Sequence, residues 1–174
     1  MIVREAGAAD WPHIWPFFRA ITAAGETYTY PRDLTEPAAR ALWMIPAPGH
    51  VLVAENSDGT ILGSAKVGPN QMGPGSHVAS ASFMVDPARR GAGIGRMLGE
   101  AAIGWAAAQG FRAMQFNAVV ATNTPAVALW QKLGFAIIAT VPEAFDHPVH
   151  GLVGLHIMHR RLDRAADGAW TAIC

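Results

Sequence analysis

Apolar positions along the chain recur at two periods, and the switches between them predict an alternation of strands and helices. Ile2 to Arg4 reads as a short opening strand. Asp10 stands where a helix N-cap is expected, with Pro12 in the first turn. Ile14, Phe17, Phe18 and Ile21 follow at helical spacing and predict a buried face. The polar and aromatic stretch Gly25 to Pro31 breaks that pattern, and Thr35 is placed to cap a second helix from Pro37 to Met44. Val51 to Glu55 and Ile61 to Val67 read as strands joined by Asn56-Ser57-Asp58-Gly59, a hairpin signal.

A Gly/Pro-rich loop from Pro69 to Ser76 precedes a long strand from His77 to Val85. The next helix carries Ile94, Leu98, Ala101, Trp105 and Ala108 on its expected buried stripe and ends at Gly110. Met114 to Val120 follows as a strand. A helix from Asn123 or Thr124 then carries Val127, Trp130 and Leu133 and stops at Gly134. Phe135 to Val141 and Leu152 to Leu162 close the pattern as two strands suited to pair as neighbours. The expected organisation is one α/β domain over residues 1–164, with a polar tail at 165–174.

The strand ending at Val85 runs into Asp86-Pro87-Ala88-Arg89-Arg90-Gly91-Ala92-Gly93-Ile94-Gly95-Arg96, the most informative segment of the chain. Glycines at alternate positions leave backbone N–H groups uncovered ahead of a helix N-terminus, which carries about half a positive charge. Arg89, Arg90 and Arg96 add cations, so the segment suits a pyrophosphate. A Walker A loop requires a Gly-Lys pair, which occurs nowhere in the chain. A dinucleotide fingerprint fails as well. Counting from Gly91 puts Arg96 in its last glycine slot, counting from Gly93 puts Leu98 there, and no acidic residue follows at the required distance. The pattern R-x-x-G-x-G fits Arg90, Gly93 and Gly95 without adjustment.

Composition narrows the partners. The 174 residues carry 13 acids and 13 Lys or Arg, so no basic excess points to nucleic acid. Cys174 is the single cysteine, which excludes an intrachain disulfide and suggests a reducing, cytoplasmic setting. The opening Met1-Ile2-Val3-Arg4-Glu5 does not read as a signal peptide, and the apolar runs are too short to span a membrane. His147 and His150, or His156 and His159, lack the thiolates or clustered acids that would complete a metal site. Two histidines three apart on a strand also face opposite sides, so no metal is expected.

Two segments, FMVDPARRGAGIGRML and NTPAVALWQKLGF, in that order and on these elements, resemble the two signature regions of the GNAT superfamily of N-acetyltransferases. The resemblance runs from residue 2 to about residue 162, following the order of elements of an α/β fold. It implies a single mixed sheet of about seven strands with flanking helices. It also implies acetyl-CoA as acetyl donor and a small-molecule amine as acceptor, and is compatible with a homodimer.

In that frame the backbone across Arg90, Gly91, Ala92, Gly93, Ile94, Gly95 and Arg96 would hold the pyrophosphate. The strand end at Met84 and Val85 would splay, pair with the pantetheine arm and polarise the acetyl carbonyl. Asn123 matches a position whose side chain touches the CoA arm, and it also suits an ordinary N-cap. Trp130 occupies a slot where many relatives carry a tyrosine acting as general acid. An indole N–H donates hydrogen bonds but is no acid at neutral pH, so Trp130 either covers the thioester or packs in the core.

Deprotonation of the amine depends on the acceptor. An α-amine with a pKa near 8 needs little help, whereas one near 10.4 costs about 4 kcal/mol to neutralise and gains from a base. Glu26 is the leading candidate, beside His77, Asp146, His147 and His150, although no spacing singles one out. The pieces HVASASFMVDP and FNAVVATNTPAVALWQKLGF further resemble the branch containing the yeast azetidine-2-carboxylate N-acetyltransferase. There an asparagine matched by Asn117 positions substrate or water, while the slot of a second asparagine holds Ser80. Tyr28 and Tyr30 would wall the amine pocket. The alternatives are a non-catalytic acetyl-CoA-binding module and, against the failed fingerprint, a nicotinamide oxidoreductase.

Overall fold

A computed structural model describes residues 1–164 and 170–171. Its elements are β1 (Ile2–Glu5), α1 (Trp11–Ala24), α2 (Glu36–Trp43), β2 (His50–Glu55), β3 (Ile61–Pro69) and β4 (Val78–Val85), followed by α3 (Ile94–Ala108), β5 (Ala113–Val120), α4 (Thr124–Lys132), β6 (Ala136–His147) and β7 (Gly151–Arg161). The strands form one seven-stranded mixed sheet in the order β1-β2-β3-β4-β5-β7-β6, and β4–β5 is its parallel junction. The fold is therefore the α/β fold expected, with helices on both faces. A separate ladder joins β8 (Asp163–Arg164) to β9 (Trp170–Thr171), so the expected tail contains a paired segment. The rest of that tail lies outside the described residues.

Two apolar layers hold the sheet. On one face Ile14, Phe17 and Phe18 of α1 and Ala39 and Trp43 of α2 pack on Val51, Val53, Ile61 and Met84. On the other, α3 and α4 cover Leu52, Ala65, Val67, Met114, Phe116 and Met158. Phe18 is fully buried and ringed by Trp11 at 5.9 Å, Trp15 at 6.0 Å, Tyr30 at 6.1 Å and Trp43 at 5.6 Å. That aromatic nest supplies a large share of the burial on this face.

Four expectations change in the structure. Asp10 does not cap α1 through its side chain; its carboxylate instead accepts from Arg4 and from the Gly7 N–H. Thr35 flanks α2 with no side-chain cap bond. The buried stripe of α3 runs through Ile94, Leu98, Ala102 and Ala106, while Ala108 is exposed and Trp105 is half-buried against the His50 ring at 4.9 Å. Finally, β6 continues past Val141 to His147. It does so with register shifts between Ile137 and Ala139 and between Val141 and Phe145, and with Glu143 at φ 52°. Pro142 cannot donate to a ladder, and an edge strand absorbs it as a bulge.

Candidate active site

The site forms where two parallel strands separate. β4 and β5 pair only at Val78–Ala113 and Ala79–Met114 among the described residues, while β4 remains paired to β3 as far as Val85. Beyond Ala79 a gap opens between β4 and β5. The direction of each backbone group of β4 follows from its flanking bonds. The Asp86 N–H donates to the Leu62 carbonyl at 2.9 Å, and the Val78 carbonyl accepts from the Asn70 N–H at 2.8 Å. Antiparallel pairing alternates direction, so Ser80, Ser82 and Met84 turn their backbone groups to β3. Ala81, Phe83 and Val85 turn theirs to the gap. Of the two expected carbonyl-polarising donors, Met84 is therefore committed to β3, and its side chain is 1% exposed in the core. Val85 faces the gap.

The glycine turn lies at the end of that free edge. Asp86 accepts from the Ala88 N–H at 3.0 Å, closing a 3-10 turn over Pro87–Arg89. Gly91 at φ 83° and Gly93 at φ 77° are left-handed, a region that costs a side chain roughly 1–2 kcal/mol. A Cβ on either would meet no atom within 4 Å, so space stays open above them. Arg90, Gly91, Ala92 and Gly93 are exposed, whereas Ile94 is 2% exposed and offers the site only its backbone. Gly95 also packs tightly, since a Cβ there would sit 3.3 Å from the Leu129 side chain of α4. Arg96 is exposed and pairs with Glu100 at 2.7 Å, which raises its pKa further.

Trp130 packs behind the gap. It is 7% exposed, with its ring 4.6 Å from Phe83 of β4 and 5.0 Å from Phe116 of β5. The structure thus places Trp130 as a core plug bridging the separated strands. The Asn123 Oδ1 accepts weakly from the Ala126 N–H at 3.4 Å, in the N-cap position of α4.

The opposite face of the gap is polar. Asn117 Nδ2 donates to Asn70 Oδ1 at 2.6 Å, and Gln115 Nε2 donates to Asn117 Oδ1 at 2.8 Å. No sequence motif marks Asn70, Gln115 or Lys66. Asn70 sits in a stretch that reads only as a Gly/Pro turn, and Lys66 is a lone charge in an apolar strand, which was the available signal. A cleft of about 230 Å³ is lined by Lys66, Asn70, Ser80 and Ser82. A larger one of about 430 Å³ lies on the other side, between α3 and the end of α4, and shares only Arg96 with the expected site.

The loop after α1 closes over this face. Gly25, left-handed at φ 68°, ends the helix with its N–H on the Thr22 carbonyl. Tyr30 then stacks on Phe18, and Tyr28 stacks on Tyr30 at 5.2 Å. The Tyr28 hydroxyl donates to the Phe83 carbonyl at 2.6 Å, at the gap edge of β4. Burial pushes the Tyr28 phenol well above the ordinary tyrosine range, and neighbouring Tyr30 adds to the shift. Glu26 is exposed, with no hydrogen bond among the described residues.

The other candidate bases are also placed. His77 is exposed, with Nδ1 3.1 Å from the Pro74 carbonyl. His147 is 8% exposed, and its Nδ1 accepts from the N–H groups of Val149 and His150, bracing the β6–β7 turn. Asp146 and His150 lie at that hairpin end, both exposed. None of the four is brought to the gap by a described contact.

The family model for the acetyltransferase (GNAT) family matches residues 14–135. A GCN5-related N-acetyltransferase from Kribbella flavida superposes with a TM-score of 0.90 at 61% identity, covering 92% of this chain and 97% of that one. The L-methionine sulfoximine/L-methionine sulfone acetyltransferase of Pseudomonas aeruginosa is 32% identical over 81% of this chain and 83% of its own length. The N-acetyltransferase aca1 of Schizosaccharomyces pombe is 34% identical over 57% of this chain, and the match spans 47% of that relative, about half its length. A strand gap, a left-handed glycine turn at its end and these likenesses lead to one assignment: the chain belongs to the acetyltransferase (GNAT) family.

Proposed function

We propose that the chain is a cytoplasmic, acetyl-CoA-dependent N-acetyltransferase acting on a small-molecule amine, an amino acid or an analogue of one, through a single domain over residues 1–164. The observation that carries this reading is the free edge of β4 running into the open glycine turn. The donor set fits acetyl-CoA. Gly91 and Gly93 leave room for a pyrophosphate against the backbone and the N-terminus of α3. The gap-facing groups of Ala81, Phe83 and Val85 offer hydrogen bonds to an amide-bearing arm. When bound, acetyl-CoA supplies an activated acetyl thioester.

The chain's own residues then orient the reaction. The Val85 N–H is the donor placed to stabilise negative charge on an acyl oxygen at the gap. Tyr28 fixes the Phe83 carbonyl, and Asn117, held by Asn70 and Gln115, presents an amide to an amine or its water on the opposite side. Trp130 excludes water from behind. Glu26 is an acid group of the overlying loop and the proposed base for an amine of high pKa. Among the described residues no helix is long and apolar enough to cross a membrane.

Two measurements test the reading. Acetyl-CoA should raise the melting temperature where NAD(P) does not. CoA release with mass detection of product across amino acids, imino acids, polyamines and aminoglycosides should identify an acetylated amine. Acetyl-CoA binding without acetylation of any amine would move the reading to a binding module.

A further inference from the structure

The cleft beside Asn117 carries a charge that has no ion-pair partner among the described residues. Lys66 of β3 lies opposite Ser82 in the β3–β4 register, and Gly68 lies opposite Ser80, so these side chains share the α1/α2 face. Together with Asn70 and Ile45 they line the cleft of about 230 Å³. The Lys66 ammonium donates to the Leu42 carbonyl at 2.7 Å, and the rings of Tyr30 and Trp43 lie 5.6 and 5.7 Å away. This tether occupies one of three N–H donors and leaves two. Ion pairs among the described residues join Arg4 to Asp10 and Glu55, His50 to Glu5, and Arg96 to Glu100; none includes Lys66.

A cation pinned by aromatic faces, flanked by two hydroxyls and an amide, has the chemistry of a carboxylate receptor. Its position adds a second constraint. Ser82 immediately precedes Phe83, whose backbone faces the gap, and adjacent Cα atoms are about 3.8 Å apart. A ligand whose carboxylate meets Lys66 and Ser82 therefore brings a neighbouring amine to the gap edge. We infer that Lys66, with Ser80 and Ser82, anchors the carboxylate of the acceptor, which makes the acceptor an α-amino or α-imino acid. This inference rests on acetyl transfer taking place at the gap.

The test compares matched acceptors with and without the carboxylate: L-methionine with 3-(methylthio)propylamine, L-phenylalanine with phenethylamine, and L-proline with pyrrolidine. The acid of at least one pair should exceed its amine by roughly 100-fold in kcat/KM, mainly through KM. In Lys66→Met that preference should shrink by roughly 10- to 100-fold, and Lys66→Arg should restore part of it. Calorimetric binding of the preferred amino acid to the CoA-loaded protein should weaken in parallel, while affinity for acetyl-CoA stays within about 3-fold.

Equal use of acid and amine by the wild type overturns the anchor whether or not the variants fold. So does a Lys66→Met loss that is the same for both members of a pair. Turnover confined to carboxylate-free amines overturns the anchor and leaves acetyl transfer standing. Absence of both turnover and acetyl-CoA binding overturns the two together.

Discussion

The Tyr28 phenol donates to the Phe83 carbonyl at 2.6 Å, across 55 positions of sequence. This bond joins the loop after α1 to the unpaired edge of β4. Tyr28→Phe keeps the stack on Tyr30 and removes only the hydroxyl. It should lower stability by about 1 kcal/mol and raise KM for the amine, with little effect on acetyl-CoA binding. Matched kinetics and thermal melts check both halves.

The same residue makes a pH prediction. Because burial raises the Tyr28 phenol above its unfolded value, its stabilising contribution is complete below about pH 10 and is lost as pH rises through the folded pKa. An alkaline series of thermal melts should decline above about pH 10, and the decline should be shallower in Tyr28→Phe.

Two glycines of the α3 region separate binding from packing. At Gly93 a Cβ would meet nothing but φ is 77°, so Gly93→Ala should strain the turn and weaken acetyl-CoA by roughly 10-fold or more. At Gly99 a Cβ would fall 2.7 Å from Leu133 and 3.1 Å from Trp130. Gly99→Ala should instead cost about 1–3 kcal/mol of stability. Titration calorimetry and denaturant unfolding on both variants would show the two effects exchanged.

Trp130 is placed as a plug between Phe83 and Phe116, with no proton to give. Trp130→Ala should destabilise by about 3–5 kcal/mol. Trp130→Phe should keep kcat within about 5-fold while lowering the melting temperature. A collapse of kcat in a folded Trp130→Phe protein would refute the packing role.

Asn70→Ala removes one of the two amide partners of Asn117 without touching the glycine turn. Turnover should fall roughly 10-fold, and more in Asn117→Ala, with acetyl-CoA affinity unchanged in both. Non-additivity in the double variant would show that the two amides act as one unit.

At low pH the relevant pair is Arg4 and Asp10, whose carboxylate the guanidinium holds below the usual range. That stabilisation is present above about pH 4 and is lost as pH falls through the depressed pKa. The acid limb of the melting curve should therefore flatten in Arg4→Met.

Local chemistry determined much of this protein. The Asn56–Gly59 turn, the apolar periodicity of α1 and the glycine-rich turn before α3 follow from preferences that neighbouring residues satisfy among themselves, so they are legible in sequence. Legibility ended where a choice depended on a remote surface. Alanine on several sides of α3 offers no hydrophobic contrast, and the sheet beneath selected Ala102 and Ala106 over Ala101 and Trp105. The division of β4 between Met84, turned to β3, and Val85, turned to the gap, depends on register with a neighbouring strand that no pattern within β4 encodes. Asn70 and Lys66 reach the site from β3 and the turn after it, because strand pairing places Lys66 opposite Ser82 and hydrogen bonding joins Asn70 to Asn117. Such juxtapositions are made by long-range pairing and packing, and only the tertiary structure decides them.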